Sequence, residues 1–80
     1  MSQTVPLPAR RPINRPWGRR IFESKTARNG GIVRRSVAAV RREIGEDALR
    51  VAARARGYHV VRIGPQYLII CCEGPIELLE

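Results

Sequence analysis

Arginine is the residue type through which this chain would do chemistry. Of its 15 basic residues, all but Lys25 are Arg. Five of them, Arg10, Arg11, Arg15, Arg19 and Arg20, crowd into the stretch RRPINRPWGRRIF over residues 10–22. A guanidinium is planar, permanently charged and forked, so it grips phosphate oxygens in pairs where an ammonium acts as a point charge. Trp17, the chain's single tryptophan, sits among these arginines. An indole there can stack on a base or wedge into a base step. Other reactive residue types offer less. His59 stands alone, with no Ser or Cys at a catalytic spacing, and reads as a structural residue. Cys71 and Cys72 are adjacent, so they point to opposite faces of a strand, and they have no metal-ligand spacing. Small buried thiols of this kind are common in cores. Nothing here calls for a cofactor or a metal, and the chain reads as a non-enzyme.

The charge is placed unevenly. Residues 1–35 carry nine bases against Glu23 alone, whereas residues 36–80 carry six of each sign. The whole net charge of +8 therefore lies in the first part. Such an excess points to an anionic partner, DNA before RNA, or to an acidic protein. No apolar run approaches the roughly 20 residues of a membrane span. The basic start lacks an apolar signal region, and its prolines oppose the amphipathic helix of a transit peptide. With unpaired cysteines besides, the expected location is cytoplasmic.

The elements that must hold these residues fall into two parts. Pro6, Pro8, Pro12 and Pro16 punctuate the first 20 residues, each restricting itself and its predecessor to extended geometry. With little to bury, residues 1–20 are expected to form a disordered Arg/Pro-rich arm, docking on the folded part near Ile21 and Phe22. Residues 21–80 are expected to fold as a small α-α-β-β domain. After the turn signal Asn29-Gly30-Gly31, Val33, Val37, Val40 and Ile44 recur at helical spacing, which predicts one long helix ended by Gly45. The alternative is a short strand at 31–35, with Ser36 capping a shorter helix. A second helix is predicted at 46–56, with Glu46 and Asp47 in its first turn and Arg54 and Arg56 in its last. Its inner face would be Ala48, Leu49, Ala52 and Ala55. The period then changes to strands, YHVVRI at 58–63 and YLIICC at 67–72, with a third short strand at 76–79. The second strand, apolar on both faces, should be central.

The segment SVAAVRREIGEDALRVAARARGYHVVRIGPQYLII, residues 36–70, resembles the winged helix-turn-helix family, a helix pair followed by a β wing. That resemblance implies a second helix entering the major groove, with Arg50 and Arg54 toward the duplex and Arg62 or Gln66 near its backbone. The shorter stretch ARARGYHVVRIGPQYLII resembles small mRNA-interferase toxins with an α-β-β core. Their essential histidine follows the Gly of the hairpin turn, where this chain has Pro65 and Gln66, so the resemblance implies a non-catalytic RNA-binding relative. Taken together, the sequence predicts an α+β protein that binds DNA as a transcriptional regulator or accessory factor. The expected contacts are Arg10, Arg11, Arg15, Trp17, Arg19, Arg20, Arg34, Arg35, Arg41, Arg42, Arg50 and Arg54. The rival reading is a protein-binding modulator, an inhibitor or antiactivator whose arm engages an acidic partner with Trp17 and Phe22 as anchors. The short folded part and its two-sided apolar strand also predict a homodimer.

Overall fold

The computed structural model describes residues 12–80. Its elements run α1 (Arg15–Glu23), α2 (Lys25–Arg28), β1 (Ile32–Ser36), α3 (Val37–Glu43), α4 (Glu46–Ala55), β2 (His59–Ile63) and β3 (Gln66–Ile70). This is an α+β fold with one antiparallel sheet in the order β1-β3-β2.

The central strand dictates most of this architecture. β3 is apolar along its length, and the backbone groups on both of its edges need partners. β2 supplies one edge through the tight Gly64-Pro65 turn. The other edge is filled by β1, with Val33 opposite Ile69 and Arg35 opposite Tyr67. Here the long helix expected over 33–44 gives way to its alternative. Ser36 is the point of change: extended at φ −69° and ψ 145°, it accepts the Ala39 N–H on its hydroxyl at 3.0 Å and caps α3. The stripe Val33, Val37, Val40 still reaches the core, all three being buried, because strand and helix turn the same residues inward. The third strand expected at 76–79 is absent; among the described residues, 71–80 contain no regular element.

The expected arm also needs correction. Its residues 1–11 lie outside the described residues, but Arg15–Arg20 belong to α1. Pro16 lies in the first turn, where the missing N–H breaks no helical bond, so it starts the helix rather than preventing it. Asn14 caps the helix by accepting the Trp17 N–H at 3.2 Å. It also ties α1 to the end of α3, its backbone N–H donating to Glu43 O at 2.8 Å and its Nδ2 to Glu43 Oε1 at 2.9 Å. Ile21 is fully buried and Trp17 and Phe22 pack against the core, so the folded unit extends well N-terminal of residue 21.

All four helices contribute to one core on one face of the sheet, around Ile21, Ala27, Val40, Leu49, Tyr67 and Ile69. The inner face of α4 is Leu49 with Ala53; Ala48 and Ala52 are half-buried, and Ala55, expected inside, is exposed. Gly45 joins α3 to α4 at φ +84°, a conformation that side-chain-bearing residues rarely adopt. Gly31 answers to space instead: a Cβ there would lie 2.8 Å from the Thr26 methyl carbon.

Candidate nucleic-acid interface

The arginines separate into groups once the elements are placed. At one end of the sheet, on the helix-bearing face, the register aligns Arg35, Tyr67 and Arg62 across the three strands. The Tyr67 ring is buried, and its hydroxyl donates to Glu46 Oε1 at 2.5 Å, in the first turn of α4. Arg41 of α3, Arg50 of α4 and Arg62 of β2 all lie close enough to Glu46 to act on its charge. The Glu46 carboxyl is held below its ordinary range, first by the Tyr67 hydrogen bond and then by these guanidiniums, against a partial desolvation. The Tyr67 hydroxyl is pushed up by its burial and by the bond to Glu46, with Arg41 acting in the opposite sense.

The result is a surface where α3, α4 and the hairpin meet, with positive charge drawn from all three. The hairpin is fixed there by the Val37 N–H donating to Pro65 O at 2.8 Å, which locks the turn to the start of α3. Arg50 and Arg54 both stand exposed on α4, as expected, and Arg50 has Asp47 at 4.0 Å. Arg54 lines a groove with Val51, His59, Val60 and Ile76. His59 itself is half-buried and donates from Nε2 to Gly74 O, a structural bond that holds the segment after β3.

Arg42 is held by Glu43 at 3.0 Å, beside the Asn14 contact, and the end of α3 and the start of α4 line one groove with Pro12 and Ile13. Arg15, Arg19 and Arg20 are exposed on α1. Arg34 and Arg35 take opposite faces of β1. Arg34 is on the face without helices, and Arg35 is half-buried with its Nη1 donating to Arg34 O at 2.6 Å. Arg10 and Arg11 lie outside the described residues.

Trp17 is half-buried against the core, and Phe22 stacks on Tyr58 with ring centroids 6.2 Å apart, beneath the Arg56 guanidinium at 4.2 Å. Both aromatics are therefore engaged within the fold. Arg56 also donates to Ala52 O at 2.9 Å, so its role is packing and capping. Cys71 is buried, its thiol pushed up by burial, and Cys72 is exposed, so the two thiols part just beyond the end of β3. Among the described residues no cluster of three His, Cys, Asp or Glu could hold a metal, and no helix is long and apolar enough to cross a membrane.

Sequence reasoning did not find the Tyr67–Glu46 pair, which organises the cationic end. The partners lie 21 residues apart in different elements, Tyr67 inside an apolar run and Glu46 in a capping position. Only the alignment of Arg35 and Arg62 on either side of Tyr67 could have signalled it, and that needed the β1–β3 pairing. Comparison of the chain with family models, with curated proteins and with solved structures finds no match in any of the three.

Proposed function

We propose that this chain binds nucleic acid, duplex DNA in the first place, and acts as a transcriptional regulator or accessory factor. The observation that supports the reading is the gathering of Arg41, Arg50 and Arg62, from three different elements, around the Glu46–Tyr67 pair. A surface with convergent guanidiniums fits the closely spaced phosphates of a duplex, and each phosphate neutralised releases counterions. Two elements beside it suit the winged helix-turn-helix reading. The pair α3–α4, joined by Ile44-Gly45, is followed by the β2–β3 hairpin, whose tip is pinned to the start of α3. In that reading α4 offers Arg50 and Arg54 to base edges, while Arg41, Arg62 and the α1 arginines hold the backbone.

The test is fluorescence anisotropy of the full chain with random and genomic duplexes across a salt series. Binding is expected near 50 mM salt, weakening log-linearly as salt rises. Arg50→Ala with Arg54→Ala should weaken preferred sites more than random duplex, since it removes base recognition rather than general charge. Tighter binding to single-stranded RNA than to any duplex would shift the reading to RNA. Absence of binding to either nucleic acid near 50 mM salt would overturn it.

A further inference from the structure

The face of the sheet that carries no helices is unusually apolar. In the register, its three rows are Ile32–Ile70–His59, Arg34–Leu68–Val61 and Ser36–Gln66–Ile63, running from β1 through β3 to β2. Five of the nine side chains are aliphatic, and none of the five belongs to the core cluster or packs against it. Ile32 is 54% exposed and Ile63 is 56% exposed. Leu68, Ile70 and Val61 are half-buried, and at the end of the Ile70 row His59 bonds Gly74 O, so the segment after β3 borders that corner of the face. An antiparallel sheet with one solvated face ordinarily alternates apolar-in and polar-out. Here two of the three outward residues of the central strand, Leu68 and Ile70, are as apolar as its inward Ile69, and only Gln66 is polar.

We infer that this outer sheet face docks a second copy of the same chain, forming a homodimer in which two three-stranded sheets pack face to face. Area and shape carry the choice of occupant. Strands about 4.8 Å apart rising about 3.4 Å per residue give a face roughly 14 by 17 Å. Side-chain relief brings its accessible area to several hundred Å², the scale at which an apolar patch marks an interaction site. Doubled in a symmetric pair, this reaches the roughly 1,000 Å² needed for a stable interface. A three-stranded face of that size meets itself when two copies are related by a twofold axis lying between the sheets. Two sheets stacked about 10 Å apart interdigitate their aliphatic side chains.

The geometry of such a pair is specific. Leu68 occupies the middle row of the central strand, so a twofold axis passing over the centre of the face brings Leu68 against its counterpart. An axis along β3 also keeps the two Arg34 side chains apart, each facing Val61 of the other copy. α4, with Arg50 and Arg54, lies on the far side of the sheet and stays uncovered. The inference does not depend on the nucleic-acid reading, and it is tested without nucleic acid.

Sedimentation velocity of the full chain over about 1 to 300 µM should show a reversible dimer, in the micromolar regime of small interfaces. Ile32→Glu and Ile63→Glu lie at exposed positions, so both variants should keep the wild-type circular dichroism while the dissociation constant rises at least tenfold. In a Cys72→Ser background, Leu68→Cys should be joined to its counterpart by a short bismaleimide crosslinker, which spans the roughly 10 Å between facing sheets that a disulfide does not, whereas Cys72→Ser alone should not. A wild-type chain monomeric at 300 µM overturns the inference and leaves the face to some other protein. A dimer that survives Ile63→Glu, or a Leu68→Cys chain that does not crosslink, overturns this face as the interface.

Discussion

Tyr67 holds two environments together. Its ring lies in the core, 2% exposed, and its hydroxyl reaches out to a carboxylate among arginines. The pair should leave a signature on stability against pH. The Glu46 carboxyl is lowered from an ordinary value of 4.5, so its contribution is present above that value and is lost as pH falls through the lower folded value. The Tyr67 hydroxyl is raised from an ordinary 10.0, so its contribution is present below 10.0 and is lost as pH rises through the folded value. Tyr67→Phe keeps the ring and removes the bond that shifts Glu46 most. Its urea midpoint should fall below that of the wild type at pH 7, and the gap should narrow as pH falls below 4.5 and through the lowered folded value of Glu46. A gap that stays constant over that fall would show that the stabilisation does not act through the ionised Glu46 carboxylate, and no gap at all would show that the bond contributes nothing.

Among the elements, α1 most changes how the chain is divided. The prolines at its start read as an extended arm because proline is unhelpful in a helix interior, yet Pro16 lies in the first turn, where that argument does not apply. The turn signals, the caps of α4, and the exchange from helical to strand period after Gly57 were legible because each depends on neighbouring residues. The position of β3 at the centre was legible from its two-sided apolar run. By contrast, β1 was hidden beneath the helical spacing of Val33, Val37 and Val40, and only the demand of β3 for a second partner decides between the readings. Of the site, Arg41, Arg50 and Arg54 could be named from their places on helices, but the convergence of Arg41 and Arg50 with Arg62 depends on pairing distant in sequence. The same correction sets a prediction about truncation. Removing residues 1–20 takes away the Asn14 cap, its bonds to Glu43 and the Trp17 packing, and leaves the buried Ile21 at a frayed end. Losing a buried aliphatic side chain alone costs about 2–5 kcal/mol, against a total of about 5–15 kcal/mol for a small domain. Urea unfolding should therefore show a greatly weakened or absent transition for this truncation. Removing residues 1–11 should leave the midpoint unchanged, since among the described residues Trp17 is the first that packs on the core.

At the scale of the whole molecule, the excess of positive charge is divided between the surface of residues 12–80 and residues 1–11, and the two parts can be separated by their salt dependence. For every phosphate that an arginine no longer neutralises, the log–log salt slope of duplex binding should flatten by about 0.9. Truncation of residues 1–11 removes Arg10 and Arg11 and should reduce the slope by at most about 1.8. Arg41→Ala with Arg62→Ala removes two guanidiniums from the cationic end and should reduce it by about the same 1.8, uniformly across sequences. Both groups are exposed, so circular dichroism and the urea midpoint should report a folded chain in that variant. If the slope survives the Arg41 and Arg62 substitutions intact and vanishes on truncation, the cationic end is not the interface and the binding belongs to residues 1–11 alone. If each change removes its own share and the two add in the combined variant, the cationic end and the N-terminal arginines engage separate phosphates of one bound duplex. Independent, additive reductions are the expected outcome, because Arg41 and Arg62 are placed by α3 and β2, elements complete without residues 1–11.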